Sequence, residues 1–339
     1  MRAYLELDMN ALTTNYEKIK AESKKEIIAV LKSNAYGHGL LECARHLMRL
    51  KVPMIAVATI EEAIAIRKSL IFCPILLLGE CLDYKLLSSY HIVASILSLF
   101  HLEKLRQSPY PIQVHLAIDT GMFREGILIN EISLAKDLFA KSKLQLTGIF
   151  THYSSMEAYE KEQAVFSEAL EQFKHKERLM IHSSCSSTYR INHREDTHIR
   201  IGLSLFGLDQ NHLPILKMYA PIVRKRAIRK GTTVGYQEKG IAPQDGYVYT
   251  IGLGYADGWP RNYQTKAYVG QHTLTQIGYT CMDYLMLFSE ENINEDSLLT
   301  FIDEEHPAQE IAKEQQTIVY EVVARLSPRL KRIIKKKTF

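Results

Sequence analysis

Between residues 27 and 207 the chain alternates short, nearly unbroken apolar runs with stretches of helical periodicity, and this rhythm constrains the fold most. The runs are IIAVLK (27–32), MIAVAT (54–59), PILLLG (74–79), HIVASIL (91–97) and IQVHLAID (112–119), then LTGIFTH (146–152), LMIHSS (179–184) and HIRIGLSLFG (198–207). Runs this apolar suit parallel strands covered on both faces. Between them, IEEAIAIRKSL (60–70) and EKEQAVFSEALEQF (160–173) repeat apolar residues at the three- and four-residue spacing of a buried helix face. Eight strands with helical crossovers is the count of a (β/α)8 barrel, here expected over 11–214. After about residue 215 short strands follow one another without helices: GYVYTIGLGY, KAYVGQ, TQIGYTCMDYLMLFS and SLLTFID, punctuated by Gly, Pro and Asp. We therefore expect a second, mainly β domain made of 1–10 and 215–339. The opening AYLELD alternates like a strand and is placed with it.

The charge balance narrows the partners. With 46% apolar residues and a formal net charge of +4 over 339 residues, the chain lacks the basic field of a nucleic-acid or anionic-membrane binder. The most basic stretch, RLKRIIKKK at 329–337, reads as a solvated tail. The five cysteines are odd in number and scattered, with no Cys-x-x-Cys, so neither a disulfide framework nor a zinc site is expected. The start MRAYLELDMN has no signal-peptide core, and IFCPILLLG is too short to span a bilayer. A soluble cytoplasmic protein is the expectation.

Reacting groups of a (β/α)8 barrel lie at the C-terminal ends of its strands. Those positions offer Lys32, Arg124, His152, Ser183 to Ser186 and the segment from Arg200 to Gly207. One amine, two guanidinium groups, an imidazole and hydroxyls suit an anionic, phosphorylated cofactor bonded by a lysine. No carboxylate cluster for a divalent metal is present in this set. Burial beside cations would keep Lys32 neutral and nucleophilic, ready for a Schiff base with an aldehyde such as pyridoxal phosphate (PLP). A surface lysine closing a strand remains the alternative on these residues alone.

AVLKSNAYGHG (29–39) closely resembles the PLP-lysine signature of bacterial alanine racemases. RAYLELDMNAL, DTGMFREG (119–126), GIFTHYSS (148–155), RIGLSLFG (200–207), GYADGWPR (254–261), CMD (281–283) and YEV (320–322) resemble further segments of that family in the same order. The resemblance spans almost the whole chain. It implies that Lys32 holds PLP and is the base on one face of the substrate Cα, with Tyr255 the base on the other. A phenol has an ordinary pKa of about 10, so it needs help from neighbours, and His152 corresponds to a histidine close to that tyrosine. Arg200 would face the pyridine nitrogen and leave it largely unprotonated, limiting transamination. Tyr36, Ser186 and the backbone at Gly202 and Leu203 would cradle the phosphate, with Ser183 and Ser184 as alternatives to Ser186. Arg124 and the Met282 backbone would hold the substrate carboxylate. Asp119 would brace the loop of Arg124 and Asp283 would line the second-domain side of the site, with a plain salt bridge the alternative for either. The resemblance also implies a homodimer with active sites shared between subunits, and D-alanine made for peptidoglycan.

Three departures from the family pattern stand out. Ala117 replaces a lysine, often carbamylated, that supports the substrate arginine. In CSS (185–187) Cys185 takes an asparagine position, and in RLSPRLKR Pro328 takes that of a tyrosine that hydrogen bonds the phosphate. The alternatives are a broad-specificity or serine racemase on the same scaffold, a non-catalytic PLP carrier, or an unspecified barrel enzyme for phosphorylated substrates. Decarboxylating relatives usually carry Cys-Gly where this chain has CMD.

Overall fold

The structure is a computed structural model that describes residues 2–186, 188–261 and 263–335. Two compact units emerge: one comprises Thr13–Ala35 and Leu40–Leu205, the other Met1–Leu12, Tyr36–Gly39 and Phe206–Phe339.

The first unit is a closed barrel of eight parallel strands: β2 (Glu26–Val30), β3 (Met54–Val57), β4 (Ile75–Leu77), β5 (Ile92–Ile96), β6 (Ile112–Ala117), β7 (Leu144–Phe150), β8 (Met180–Ser183) and β9 (His198–Ile201). Each of the eight apolar runs overlaps one of these strands, as the pattern predicts. Each pairs with the next, and β9 closes on β2 with Arg200 opposite Ile28. Residues of β3, β4 and β5 are buried throughout, which is why these runs show no alternation. The barrel interior is not wholly apolar. His115 on β6 and His182 on β8 are both fully buried. Gly148 on β7 makes room for the former, since a Cβ there would lie 2.7 Å from three atoms of the His115 ring. Most strands are shorter than their runs: β2 stops at Val30, and the last run leaves β9 for a 3₁₀ turn, Leu203–Phe206.

The helices follow the expected faces. The one at Ile60–Lys68 starts with a capping box, in which Thr59 Oγ1 accepts from the Glu62 N–H at 3.3 Å and Glu62 returns its carboxylate to the cap backbone.

The second unit is an eight-stranded sheet. Its members are β1 (Tyr4–Leu7), β10 (Leu216–Ile228), β13 (Gly246–Ile251), β14 (Lys266–Val269), β15 (His272–Gln276), β16 (Leu285–Ser289), β17 (Leu298–Ile302) and β18 (Lys331–Ile334). A separate pair, β11 (Thr233–Val234) and β12 (Gly240–Ile241), completes the strands. Strand β1 lies between β10, antiparallel, and β18, parallel. The basic stretch expected to be a tail is therefore corrected over 331–334: it is a paired edge strand. Backbone hydrogen bonds hold it, and its cations discourage further pairing at the open edge. Lys336 and Lys337 lie outside the described residues. Two short helices, Ala308–Glu314 and Val319–Ala324, accompany the strands, in keeping with a mainly β unit. Among the described residues no helix is long and apolar enough to cross a membrane.

Candidate active site

Lys32 is the first residue of an unusual turn at the C-terminal end of β2. Ser33, Asn34, Ala35 and Tyr36 all have φ between 51° and 56°, a full turn of left-handed backbone. Each non-glycine residue in that region costs roughly 1–2 kcal/mol, so the turn must be imposed by its surroundings. Ala35 N–H bonds the Leu31 carbonyl at 2.8 Å, and Asn34 Oδ1 accepts from Leu40 N–H at 2.8 Å. The capping-box carboxylate of Glu62 accepts Asn34 N–H at 3.1 Å and Ala58 N–H at 2.9 Å. One helix cap thus also buttresses the lysine turn. The Lys32 side chain is half-buried, and its amine is held below the usual lysine range chiefly by burial and then by the Arg124 cation. Arg200 adds to this, while Glu125 and Glu62 oppose it.

Arg200, on β9, is buried and held along one edge. Its Nη1 donates to His182 Nδ1 at 2.5 Å and to the His182 carbonyl at 3.0 Å. Its Nη2 donates to the Thr151 carbonyl and to Ser184 Oγ, both at 2.7 Å. The guanidinium also lies over Phe150, 4.8 Å from the ring centre. Burial lowers its pKa to about 10, so it stays a cation at neutral pH. Because arginine can only donate, His182 Nδ1 must accept. A neutral His182 then carries its proton on Nε2 and donates to His115 Nδ1 at 2.9 Å. Burial and neighbouring cations keep both imidazoles uncharged, His115 at about 3.

His152 follows β7 and bridges two hydroxyls, with Nδ1 2.8 Å from Ser184 Oγ and Nε2 3.0 Å from Ser186 Oγ. Burial, Arg200, Arg124 and Lys32 push it down to about 3, so it too is neutral. The serines divide by position. Ser183 is buried, donates to Asp196 Oδ2 at 2.5 Å and accepts from His193 N–H at 3.0 Å. Ser184 is taken by Arg200 and His152, whereas Ser186 is exposed. Ser187 lies outside the described residues. Gly202 and Leu203 sit where β9 gives way to its 3₁₀ turn.

The Arg124 loop follows β6. Asp119 Oδ1 accepts the N–H groups of Gly121 at 2.9 Å and Phe123 at 3.1 Å, bracing the loop from within. Arg124 Nη2 bonds Glu125 Oε1 at 2.9 Å. Ala117 is buried and offers only a methyl group, so in this structure a carboxylate partner reaches Arg124 from the next residue instead.

The second unit presents Tyr255 and Met282 on two adjoining turns. Tyr255 N–H bonds the Cys281 carbonyl and Ala256 N–H the Met282 carbonyl, both at 3.0 Å. No side chain fits at Gly254, where a Cβ would lie 2.2 Å from the Met282 oxygen. Asp283 is in a salt bridge with Arg329 at 2.7 Å. Tyr36 belongs to this unit, its ring 5.5 Å from Phe206 and 5.8 Å from Tyr320. Burial and Tyr320 push its hydroxyl well above the usual range, so it remains a hydrogen-bond donor. Pro328, between Ser327 and Arg329, has no hydroxyl to offer.

Comparison with known proteins decides the family. The alanine racemase N-terminal domain profile matches residues 7–210, and the C-terminal domain profile matches 215–334. The chain belongs to the alanine racemase family. It is 31% identical over 365 residues to a serine/alanine racemase of Enterococcus gallinarum, covering 98% of this chain and 52% of that protein. The chain thus spans about half the length of that relative. An alanine racemase of a Nitratiruptor species is 31% identical over 350 residues, with 97% and 98% of the two chains covered. The crystal structure of alanine racemase from E. faecalis superposes with a TM-score of 0.89 at 28% identity, covering 98% of each chain.

Several residues of this site escape sequence reasoning. Glu62 is visible as the Glu of a Thr-x-x-Glu capping box, but nothing in that signature says it also holds the turn after Lys32. Glu125 could be flagged only by asking what replaces the side chain missing at Ala117. His182 and His115 act around Arg200 through contacts between strands far apart in sequence.

Proposed function

We propose that the chain is a PLP-dependent alanine racemase that interconverts L- and D-alanine with Lys32 and Tyr255 as its two bases. The observation that carries this reading is the setting of Lys32: a half-buried amine, depressed by burial and two guanidinium groups, on a backbone held in a strained turn. The donor set fits PLP. Lys32 would bond the aldehyde, Arg200 would face the ring nitrogen, and Ser186, Tyr36 and the Gly202 and Leu203 amides would take the phosphate, with His152 beside them. Bound PLP delocalises the negative charge that develops at the substrate Cα.

This chain's residues supply the rest. Arg124 binds the substrate carboxylate, with Glu125 fixing the guanidinium and the Met282 backbone completing the grip. Lys32 takes or returns the Cα proton on one face, and Tyr255 does so on the other. Arg200 stays charged and keeps its proton, so it hydrogen bonds without protonating the ring. The barrel is read as the cofactor-binding domain, 11–214, and the remainder as the domain that lends the tyrosine. Tyr255, Met282 and Tyr284 are 43%, 55% and 44% exposed, a surface that suits coverage by a second copy. We read the assembly as a homodimer with shared sites, cytoplasmic, supplying D-alanine for peptidoglycan.

The test is deuterium incorporation at Cα from D₂O with PLP added, using L-alanine, D-alanine and, for breadth, L-serine. Wild type should exchange and racemise both alanines. Lys32→Ala should lose both, and Tyr255→Phe should impair mainly one enantiomer. PLP binding without α-proton exchange in either alanine would sink the assignment.

A further inference from the structure

The second unit contains an ion cluster to which no role has yet been given. Asp257 is 1% exposed and lies in the turn of Tyr255, where its carboxylate accepts the Gly254 N–H at 3.0 Å. A carboxylate buried that deeply needs cations. Arg2 meets its Oδ2 at 2.6 Å, and Arg329 Nε lies 3.5 Å from Oδ1. Arg2 also donates to the Asp283 carbonyl at 3.3 Å, and its Nη2 lies 3.9 Å from the Asp283 carboxylate. One guanidinium therefore joins the turn that carries Tyr255 to the turn that carries Met282.

The turn has little slack with which to absorb the loss of that bond. At Gly258 the φ is +88° and a Cβ would lie 1.9 Å from the Arg325 carbonyl oxygen. Ser327 N–H bonds the Asp257 carbonyl at 3.0 Å. A displacement of Asp257 is thus transmitted along a short, tightly seated backbone to Tyr255, two residues away.

We propose that Arg2 is a positioning residue for Tyr255: acting through Asp257, it sets the angle at which the phenol meets one face of the substrate Cα. Arg2 touches neither substrate nor cofactor. Arg329 shares the carboxylates but stands farther from Asp257, so it supports the turn less. The inference rests on the two-base reading above.

The experiment uses full-length, PLP-loaded Arg2→Ala and Arg2→Lys beside wild type and Tyr255→Phe. α-Proton exchange in D₂O is measured separately for L- and D-alanine, and amide hydrogen exchange is followed across 254–258 and across the barrel. Losing a charge-assisted bond of this kind should cost about tenfold in the exchange that Tyr255 serves. Arg2→Ala should therefore slow the enantiomer that Tyr255→Phe slows and leave the other within about twofold of wild type. Its amides at Gly254 and Tyr255 should exchange faster while barrel amides do not, and Arg2→Lys should recover most of both effects. Equal loss for both enantiomers, or no change in either readout, overturns the proposal. If Arg2→Ala does not fold, Arg2→Gln, which also removes the cation, decides: a loss confined to the same enantiomer supports it, and a symmetric or absent loss overturns it. A wild type that exchanges neither alanine refutes the racemase reading instead. The amide readout then still reports whether Arg2 holds the turn.

Discussion

Lys32 and Tyr255 are presented by opposite means. Lys32 stands on four consecutive left-handed residues whose strain is offset by hydrogen bonds accepted by Glu62, Asn34 and Leu31, and its amine is governed by burial and by nearby charges. Tyr255 is exposed and stands on a short turn seated by backbone contacts and glycines, with a paired aspartate beneath it. One side tunes a protonation state. The other fixes a direction. The same distinction separates two buried aspartates: Asp257 meets two arginines, whereas Asp196 in the barrel takes only neutral donors on Oδ2 and leaves Oδ1 without a partner among the described residues.

The sharpest way to break the mechanical side is one methyl group. Gly258→Ala combines a left-handed φ with a Cβ 1.9 Å from a carbonyl oxygen, so it should destabilise the second unit by about 3 kcal/mol or more. Chemical denaturation would show this as a lower midpoint. A variant with unchanged stability would mean the turn is far softer than its contacts imply.

The barrel side should respond to pH instead. Burial raises Asp196 to about 6 from an ordinary value of 3.8. A raised folded-state value favours the native state fully below the unfolded pKa, and that contribution is lost as pH rises through about 6. The loss is on the order of 3 kcal/mol at most. Asp196→Asn cannot ionise, so its stability should gain on wild type between pH 4 and pH 7. Parallel stability curves for the two proteins across that range would show that Asp196 is not the group responsible. Asn34→Ala should have a smaller effect, about 1 kcal/mol, because it removes the acceptor for Leu40 N–H and the residue type best suited to left-handed backbone. α-Proton exchange should then fall for both alanines together, unlike the one-sided losses on the tyrosine side.

Much of this was legible in advance, for identifiable reasons. Eight both-face-buried strands leave continuous apolar runs, and the lysine signature sits where one of them ends. Strand β10 was missed because its second half, VRKRAI, carries cations on an exposed stretch and shows no apolar run. Strand β18 read as a tail because Lys331–Ile334 holds only two apolar residues and is fixed by pairing with β1 from the other end of the chain. The long segment TQIGYTCMDYLMLFS is not one strand: Gly278, at φ +74°, interrupts it, and the turn so made carries Met282. The left-handed turn after Lys32 could not be read from SNAY, in which only Asn favours that backbone, since its cause lies 28 residues away in Glu62. Arg2 is invisible for the same reason on a larger scale, because its partner is Asp257.

The smallest expected effect tests the electrostatic side most directly. Arg124 lowers the Lys32 amine and Glu125 raises it, yet the two are bonded to each other at 2.9 Å. In Arg124→Gln the cation is gone and the carboxylate remains, so both changes move Lys32 upward. In Glu125→Gln the carboxylate is gone and the guanidinium loses its neutralising partner, so both changes move Lys32 downward. Opposite signs from adjacent residues are hard to obtain by loosening the loop, because disorder would expose the amine and raise it in either variant. The measurement is the pH dependence of the ¹³C-labelled lysine side-chain resonance in PLP-free protein, assigned with Lys32→Ala. Shifts of opposite sign would establish that these two charges act on Lys32 over and above its burial. Shifts of the same sign would mean that solvent access dominates, and the contrast with the tyrosine side would then be one of burial alone.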